Sequence, residues 1–223
     1  MLNYILPILS VLVGFLIVLI LKPSQIKHLK LLLAFSGAFL LSITVFSFLP
    51  EVYEQQDAHV GIFIMVGILI QIILEFFSKG AEHGHMHLDK SKTLFPWVLF
   101  ISLSIHAILE GVPIEAHENL VYGIIVHKLP VAIILATFFM QSQLSKVKIA
   151  LFLILFALMT PLGVYLSDSI GFIKSYYNEI SAIVIGIFLH ISTTILFESN
   201  EGHKFNLTKI LTIITAIVIA YFI

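Results

Sequence analysis

The sequence contains no cysteine and no arginine, and it has few charged side chains of either sign. Without cysteine there is no disulfide framework and no thiolate metal site. Only 11% of the residues are charged and 59% are hydrophobic, whereas a soluble chain carries about 25% charged residues. No basic patch indicates nucleic acid. The composition therefore predicts a multi-pass membrane protein, expected in a bacterial inner membrane or a plasma membrane.

Eight apolar stretches are long enough, or nearly long enough, to cross a bilayer as helices. They cover residues 3–21, 31–50, 59–78, 96–114, 119–140, 147–167, 180–198 and 208–223. The first stretch lacks a positively charged start and a small-residue cleavage site, so we interpret it as a membrane helix rather than a signal peptide. The sequence thus predicts an all-α, polytopic membrane protein with eight transmembrane helices in a single domain over residues 1–223.

The lysines indicate the orientation of these helices. Ten of them lie in loops one, three, five and seven: Lys22, Lys27, Lys30, Lys79, Lys90, Lys92, Lys146, Lys148, Lys204 and Lys209. The other loops carry only Lys174, together with acidic residues such as Glu51 and Asp168. The positive-inside rule places the lysine-rich loops in the cytoplasm and both termini outside. The remaining lysine, Lys128, lies within a predicted span.

Ionisable side chains also occur inside two neighbouring spans. His106 and Glu110 are four residues apart in the fourth span, so they share one face of a helix. His127 lies in the fifth span, and at 1.5 Å per residue both histidines are roughly 12–15 Å deep. Ionisable groups at such depth usually mark an ion or proton pathway. Because imidazole and carboxylate are ligands of divalent transition metals, the pattern predicts a metal transporter.

These residues resemble the motifs of the Zrt/Irt-like (ZIP) divalent metal transporters. The family's fourth helix carries His-Asn-x-x-[Asp/Glu]-Gly, and its fifth carries His-[Glu/Lys/Asp]-x-Pro-[His/Glu]-[Glu/Gly/Ala]. At these places the chain has His106-Ala107-Ile108-Leu109-Glu110-Gly111 and His127-Lys128-Leu129-Pro130-Val131-Ala132. Thr160-Pro161-Leu162-Gly163 is similar to the family's sixth helix. The resemblance covers nearly the whole chain and agrees with the predicted topology.

The resemblance implies a transporter rather than an enzyme. Its cargo would be Zn²⁺ moving into the cytoplasm, with Fe²⁺ or Mn²⁺ as alternatives, and no organic cofactor is implied. The implied metal ligands are His106, Glu110 and His127, completed by water. The implied partners are the metal ion, the lipid bilayer and, as an open alternative to a monomer, a second copy in a homodimer.

Family members with two adjacent metal ions hold the second ion with residues at positions where this chain has Ala107, Lys128 and Val131, and Val131 also replaces a ligand of the transported ion. An ammonium at Lys128 could occupy the space of that second cation and neutralise Glu110. The sequence therefore predicts one ion per chain, bound more weakly than in the family. Lys128 and Glu110 could equally form a purely structural pair.

Two other functions stay open. A membrane-embedded metallohydrolase would use metal-activated water, but the chain has neither His-Glu-x-x-His nor Gly-x-Ser-x-Gly. The chain could also be a relative that senses metal without transporting it, because Val131 replaces a metal ligand of the family.

Several further polar or ionisable residues could contact metal or play only structural roles. They are His83, His85 and His87 in a predicted cytoplasmic loop over 79–94, Glu75 with Gln71 near the inner end of the third span, His190 in the seventh, and Glu115, His117 and Glu118 on the outer side.

Overall fold

The computed structural model describes residues 1–21, 29–54, 59–81, 94–198 and 207–223. Within these ranges all regular structure is helical and no strand occurs. The helices are α1 (Leu2–Leu21), α2 (Leu29–Ile43), α3 (Leu49–Tyr53), α4 (Val60–Ser78), α5 (Trp97–Gly111), α6 (Leu120–Met140), α7 (Lys146–Ser169), α8 (Gly171–Ser175), α9 (Tyr177–Glu198) and α10 (Leu207–Tyr221). A 3₁₀ turn, Val112–Glu115, continues α5.

Seven stretches of the described residues are long and apolar enough to cross a membrane. They are Leu2–Leu21, Leu29–Tyr53, Val60–Ser78, Trp97–Glu115, Leu120–Met140, Lys146–Ser169 and Tyr177–Phe197. Their limits agree with seven predicted spans to within about one helical turn. The eighth predicted span corresponds to α10, which has 15 residues. Of the predicted loop over 79–94, residues 82–93 lie outside the described ranges, and with them His83, His85 and His87.

The second crossing stretch is not a uniform α-helix. A π-helical turn, Thr44–Phe48, joins α2 to α3. The hydroxyls of Ser42 and Thr44 donate to the carbonyls of Ala38 and Leu40, one turn earlier. Pro50 follows the turn and cannot donate a backbone hydrogen bond. Side-chain bonding of this kind and a nearby proline both disturb the regular backbone ladder, which accounts for a wider turn here.

The helices pack in two groups, each with its own apolar core. In one group α1 packs on α6 and α7, and α5 packs on α7; in the other, α2 packs on α9 and α10, and α9 packs on α4. The groups meet where α6 contacts α2 and where α5 contacts α4. Large apolar side chains such as Leu16, Phe76 and Leu211 are exposed on the outside. This surface suits contact with lipid.

The closest helix contact of the second group is made by two glycines. A Cβ atom at Gly67 of α4 would overlap the carbonyl of Ile183, and one at Gly186 of α9 would overlap the carbonyl of Ile64. The obstacles are backbone atoms of the facing helix, which cannot rotate away. The two helices therefore depend on glycine at both positions for their present separation.

We expect Gly67→Ala and Gly186→Ala each to lower the thermal unfolding temperature of the protein in detergent. Forcing a methyl group into a packed interface costs about 1–3 kcal/mol. Gly171→Ala is the matched control, because a Cβ atom there meets nothing within 4 Å. Thermal unfolding followed by intrinsic fluorescence measures the difference. Equal unfolding temperatures for the three variants would contradict this account of the interface.

Candidate metal site

His106 and Glu110 lie on α5 and share one face of that helix. His106 is 2% exposed and Glu110 is fully buried. His106 Nε2 lies 3.4 Å from Glu110 Oε2. The distance follows from their spacing, since residues four apart are neighbours on a helix surface. The expectation that these two side chains face the same interior space is therefore met.

The neighbouring helix α6 brings His127 and Lys128 to the same place. Both are 2% exposed. The ring centroids of His106 and His127 are 6.2 Å apart, with the rings nearly perpendicular. Lys128 Nζ lies 2.5 Å from Glu110 Oε1 and 4.6 Å from the centroid of the Phe156 ring. The ion pair expected between Lys128 and Glu110 is present, and the cation also rests on an aromatic face.

A third helix, α7, contributes Thr160. Its hydroxyl donates a hydrogen bond of 2.7 Å to Glu110 Oε1, the same oxygen that Lys128 contacts. The contact requires α5 and α7 to lie very close. A Cβ atom at Gly111 would overlap the carbonyl of Thr160, and Gly163 makes the reciprocal approach to Ile108. One carboxylate oxygen is thus held by two partners, while the other faces His106.

Several buried polar atoms at this site have no hydrogen-bond partner within the described part of the chain. They are both ring nitrogens of His106 and Oε2 of Glu110. Leaving a buried polar atom without a hydrogen bond costs about 1–3 kcal/mol, more for a charged group, so such atoms call for a functional explanation. A cation between His106 Nε2 and Glu110 Oε2 would satisfy both.

The described residues do not, however, form a closed ligand shell. Among them, no three or more His, Cys, Asp or Glu side chains are arranged to hold a metal ion. The site consists instead of the pair His106 and Glu110 and the imidazole of His127 beside His106. The ammonium of Lys128 contacts the same Glu110 carboxylate. Ala107 and Val131 are buried among apolar neighbours and offer no ligand atom.

The other candidates lie elsewhere. His190 Nε2 lies 2.7 Å from Glu75 Oε2, so the structure pairs two residues that the sequence had suggested separately. On the opposite end of the molecule, His117 Nδ1 contacts the carboxylate of Glu51. The ring of His117 also stacks on Tyr177 and packs against Phe48.

Thr160 was missed as a member of the site by sequence reasoning. The signal available was a hydroxyl residue directly before Pro161 in an apolar span. Such a residue is as often bonded to its own helix, as Ser42 and Thr44 are here. The contact with Glu110 depends on how α5 and α7 pack.

We expect Thr160→Val to weaken the site without abolishing it. The change removes one hydrogen bond to the carboxylate and preserves the shape of the side chain, while Lys128 stays in place. A bond to a charged group contributes about 1.5–3 kcal/mol, so the unfolding temperature should fall measurably. Thr193→Val is the control, because that hydroxyl bonds carbonyls of its own helix and no other group among the described residues. An equal or larger fall for the control would contradict the role given to Thr160.

Parts of the chain are similar to known proteins. No protein-family model matches the chain. It is 29% identical over 150 residues to protein zntD of Dictyostelium discoideum, a match covering 57% of the chain and 22% of the relative. It is 30% identical to zinc transporter ZIP1 of Takifugu rubripes over 95 residues, covering 40% of the chain and 32% of the relative.

Zinc transporter ZIP1 of Danio rerio gives a similar match, with 30% identity over 94 residues, 39% of the chain and 31% of the relative. The chain therefore spans less than a third of the length of each of these relatives. Over part of its length the chain is thus similar to zinc transporters of the ZIP type, and the seven apolar helices in the described residues indicate a multi-pass membrane protein.

Proposed function

We propose that the chain carries divalent transition-metal ions, above all Zn²⁺, across the membrane into the cytoplasm. The observation that carries this proposal is the burial of His106, Glu110 and His127 together inside an apolar helical protein. Ionisable residues inside a membrane are costly and are usually retained for ion passage. The zinc transporter names of two relatives support the same cargo.

In this proposal the ion binds on the Oε2 side of Glu110. There it meets the Nε2 atom of His106, which lies 3.4 Å from that oxygen and has no hydrogen bond within the described residues. His127 supplies the second imidazole after a modest side-chain movement, and water completes the shell. Three protein ligands with one open position are chemically reasonable for zinc. Fe²⁺ and Mn²⁺ remain chemically acceptable cargo for the same ligands.

Lys128 sets the strength of binding. Its ammonium is paired with Oε1 of Glu110, so an arriving ion would share this carboxylate with a fixed positive charge. Repulsion between the two cations weakens binding, and it does so more strongly in a buried site than in water. Weak binding suits a transporter, because an ion that enters must also leave.

The topology belongs to the same proposal. We infer eight transmembrane helices, with α10 as the last, and with both termini outside. At 15 residues α10 spans about 22 Å, which requires little tilt or a locally thinner bilayer. The lysine-rich loops then face the cytoplasm, and His117 with Glu51 faces the outside.

A non-transporting, metal-sensing relative is the second candidate, and the Lys128–Glu110 pair is the observation that favours it. A buried ion pair that fills the site could be purely structural. Transport and sensing predict different results when purified protein is reconstituted into liposomes. Transport predicts that Zn²⁺ outside the vesicles reaches a dye enclosed inside, and that Fe²⁺ or Mn²⁺ competes according to its affinity.

Protein-free liposomes and liposomes with His106→Ala protein are the controls for leakage. Binding of Zn²⁺ by the reconstituted wild-type protein without entry above these controls would reject transport and favour the sensing role.

A further inference from the structure

A second imidazole–carboxylate pair lies inside the helical bundle, apart from the site formed by α5 and α6. His190 Nε2 on α9 lies 2.7 Å from Glu75 Oε2 on α4. Their side chains are 19% and 24% exposed, so the pair is half-buried. Both residues lie in stretches long and apolar enough to cross a membrane. Two ionisable groups kept at such positions call for a role in ion passage.

The pair sits on a rigid interface. Gly67 contacts Ile183 and Gly186 contacts Ile64, so the backbones of α4 and α9 approach as closely as helices can. Gly186 also approaches Gly67, and the Glu75–His190 contact follows this approach in the direction of increasing residue number on both helices, so the two helices run parallel. The pair follows the glycines along the same interface. Its geometry is therefore fixed by backbone packing rather than by flexible side chains alone.

The pair is also close to the candidate metal site. Ser102 of α5 donates a hydrogen bond of 2.5 Å to the carbonyl of Leu74, the residue before Glu75. Ser102 precedes His106 by four residues, one helical turn or about 6 Å along α5. Glu75 thus lies on a helix that contacts α5 one turn from the first metal ligand. The displacement is towards the end of α5 that the lysine pattern places in the cytoplasm.

The candidate metal site and the Glu75–His190 pair differ in how deeply they are buried. His106, Glu110, His127 and Lys128 are at most 2% exposed, whereas Glu75 and His190 retain about a fifth or more of their exposure. The exposed fraction leaves room beside the second pair for water or another ligand to complete the coordination of an ion. An ion there would be held by two protein ligands and exchange quickly with solvent.

We propose that Glu75 and His190 form a second divalent-cation site, which receives the ion after it leaves His106, Glu110 and His127. The proposal rests on the proposed transport function, but it concerns different residues and can be tested by binding alone. When the site is empty, the imidazole and the carboxylate satisfy each other. When an ion arrives, it takes the position between them. With a second site, the ion crosses two lower energy barriers in place of one high barrier, as in conduction through several binding sites.

The test counts Co²⁺ ions bound to full-length protein in detergent. The starting protein carries His106→Ala, Glu110→Gln and His127→Ala, and its loop histidines His83, His85 and His87 are also replaced by alanine. We expect Glu75→Gln or His190→Phe to lower the number of bound Co²⁺ ions by one in this background. Glu75→Gln keeps a hydrogen bond to the imidazole, so the loss of an ion would not arise from a broken helix contact.

A cysteine provides an independent readout, because the natural chain has none. In the same background, His190→Cys places a thiolate, a strong ligand, beside Glu75. We expect Co²⁺ to give a thiolate-to-metal charge-transfer band with this variant. Leu189→Cys is the matched control: it puts the same thiol on the preceding residue, which points to a different face of α9, and should give no such band.

The outcomes separate this proposal from the transport function. An unchanged Co²⁺ count in Glu75→Gln and His190→Phe, or equal bands from the two cysteine variants, would overturn the second site even if the wild-type protein transports zinc. A lost ion and a band specific to His190→Cys would support the site even if no uptake occurs. In that case only the proposed transport function would fail.

Discussion

Liposomes containing His106→Ala, Glu110→Ala or His127→Ala protein are expected to take up zinc at least about tenfold more slowly than those with the wild-type protein. Each substitution removes one of the three proposed ligands. His106 and Glu110 share a face of α5, and His127 lies beside them on α6. The loss should appear in zinc affinity as well as in rate, because the ion has few other ligands to use.

The three variants differ in how much they destabilise the folded protein. Glu110→Ala leaves the ammonium of Lys128 buried without its carboxylate, and breaking a buried ion pair costs about 3–5 kcal/mol. Glu110→Gln is therefore needed beside it, since an amide oxygen still accepts a hydrogen bond from Lys128 and from Thr160. His106→Ala removes no hydrogen bond of the described residues, but it leaves a cavity in place of a buried ring, so it should also lower stability.

Ser104→Ala is the matched control for this series. Ser104 lies on α5 two residues before His106 and is buried, but its hydroxyl makes no hydrogen bond within the described residues. Uptake is measured with an enclosed dye and normalised to the amount of folded, reconstituted protein. Normal uptake by any two of the three ligand variants, or a comparable loss in Ser104→Ala, would remove the basis for the assignment.

The sequence predicts the helices of this protein well because membrane helices are specified locally. A stretch such as Leu120–Met140 must satisfy its own backbone hydrogen bonds in lipid, so length and apolar composition nearly determine it. The spacing of His106 and Glu110 is equally local. Their side-chain contacts with α6 were expected because a short loop joins α5 to α6, although the backbone of α5 packs mainly on α7 and α4. These parts of the site could be predicted without knowledge of the full packing.

Contacts between helices that are distant in sequence could not be predicted in the same way. Thr160 and Glu110 are 50 residues apart, and Glu75 and His190 are 115 apart. Nothing in the sequence near Glu75 indicates that α9 will cover it. The deciding feature is the pair of glycines, Gly67 and Gly186, whose contact becomes evident only when the two helices are placed together. The π turn at Thr44–Phe48 was missed for a different reason, since its composition fits an α-helix equally well.

Lys128 is expected to limit the core site to a single divalent ion. Its ammonium lies 2.5 Å from Glu110 Oε1 and 4.6 Å from the Phe156 ring, where a second cation would have to enter. Two divalent ions and an ammonium around one carboxylate would leave a large uncompensated charge in a buried space. The number of ions should change when that fixed charge is removed and new ligands are supplied.

We therefore predict that Lys128→Glu combined with Ala107→Asn and Val131→Glu admits a second ion. It should also raise zinc affinity at least tenfold, which corresponds to about 1.4 kcal/mol. Ala107 and Val131 are buried in the packed core, so the new polar groups should destabilise the metal-free protein. Binding of zinc should restore stability, because a ligand stabilises the state that binds it. The triple variant should thus show a much larger zinc-dependent rise in unfolding temperature than the wild-type protein.

Lys128→Met is the control that separates the effect of the positive charge from the effect of the volume of the side chain. It keeps the length of the side chain and its contact with Phe156, removes the ammonium and supplies no oxygen ligand. We expect it to destabilise the metal-free protein, because Glu110 loses its cation, and to bind one ion rather than two. Metal analysis should use protein in which His83, His85 and His87 are replaced and Glu75→Gln is present, so that only the core site is counted. Two core ions in that protein with Lys128 intact, or an unchanged zinc affinity in the triple variant, would show that Lys128 does not control the occupancy of the site.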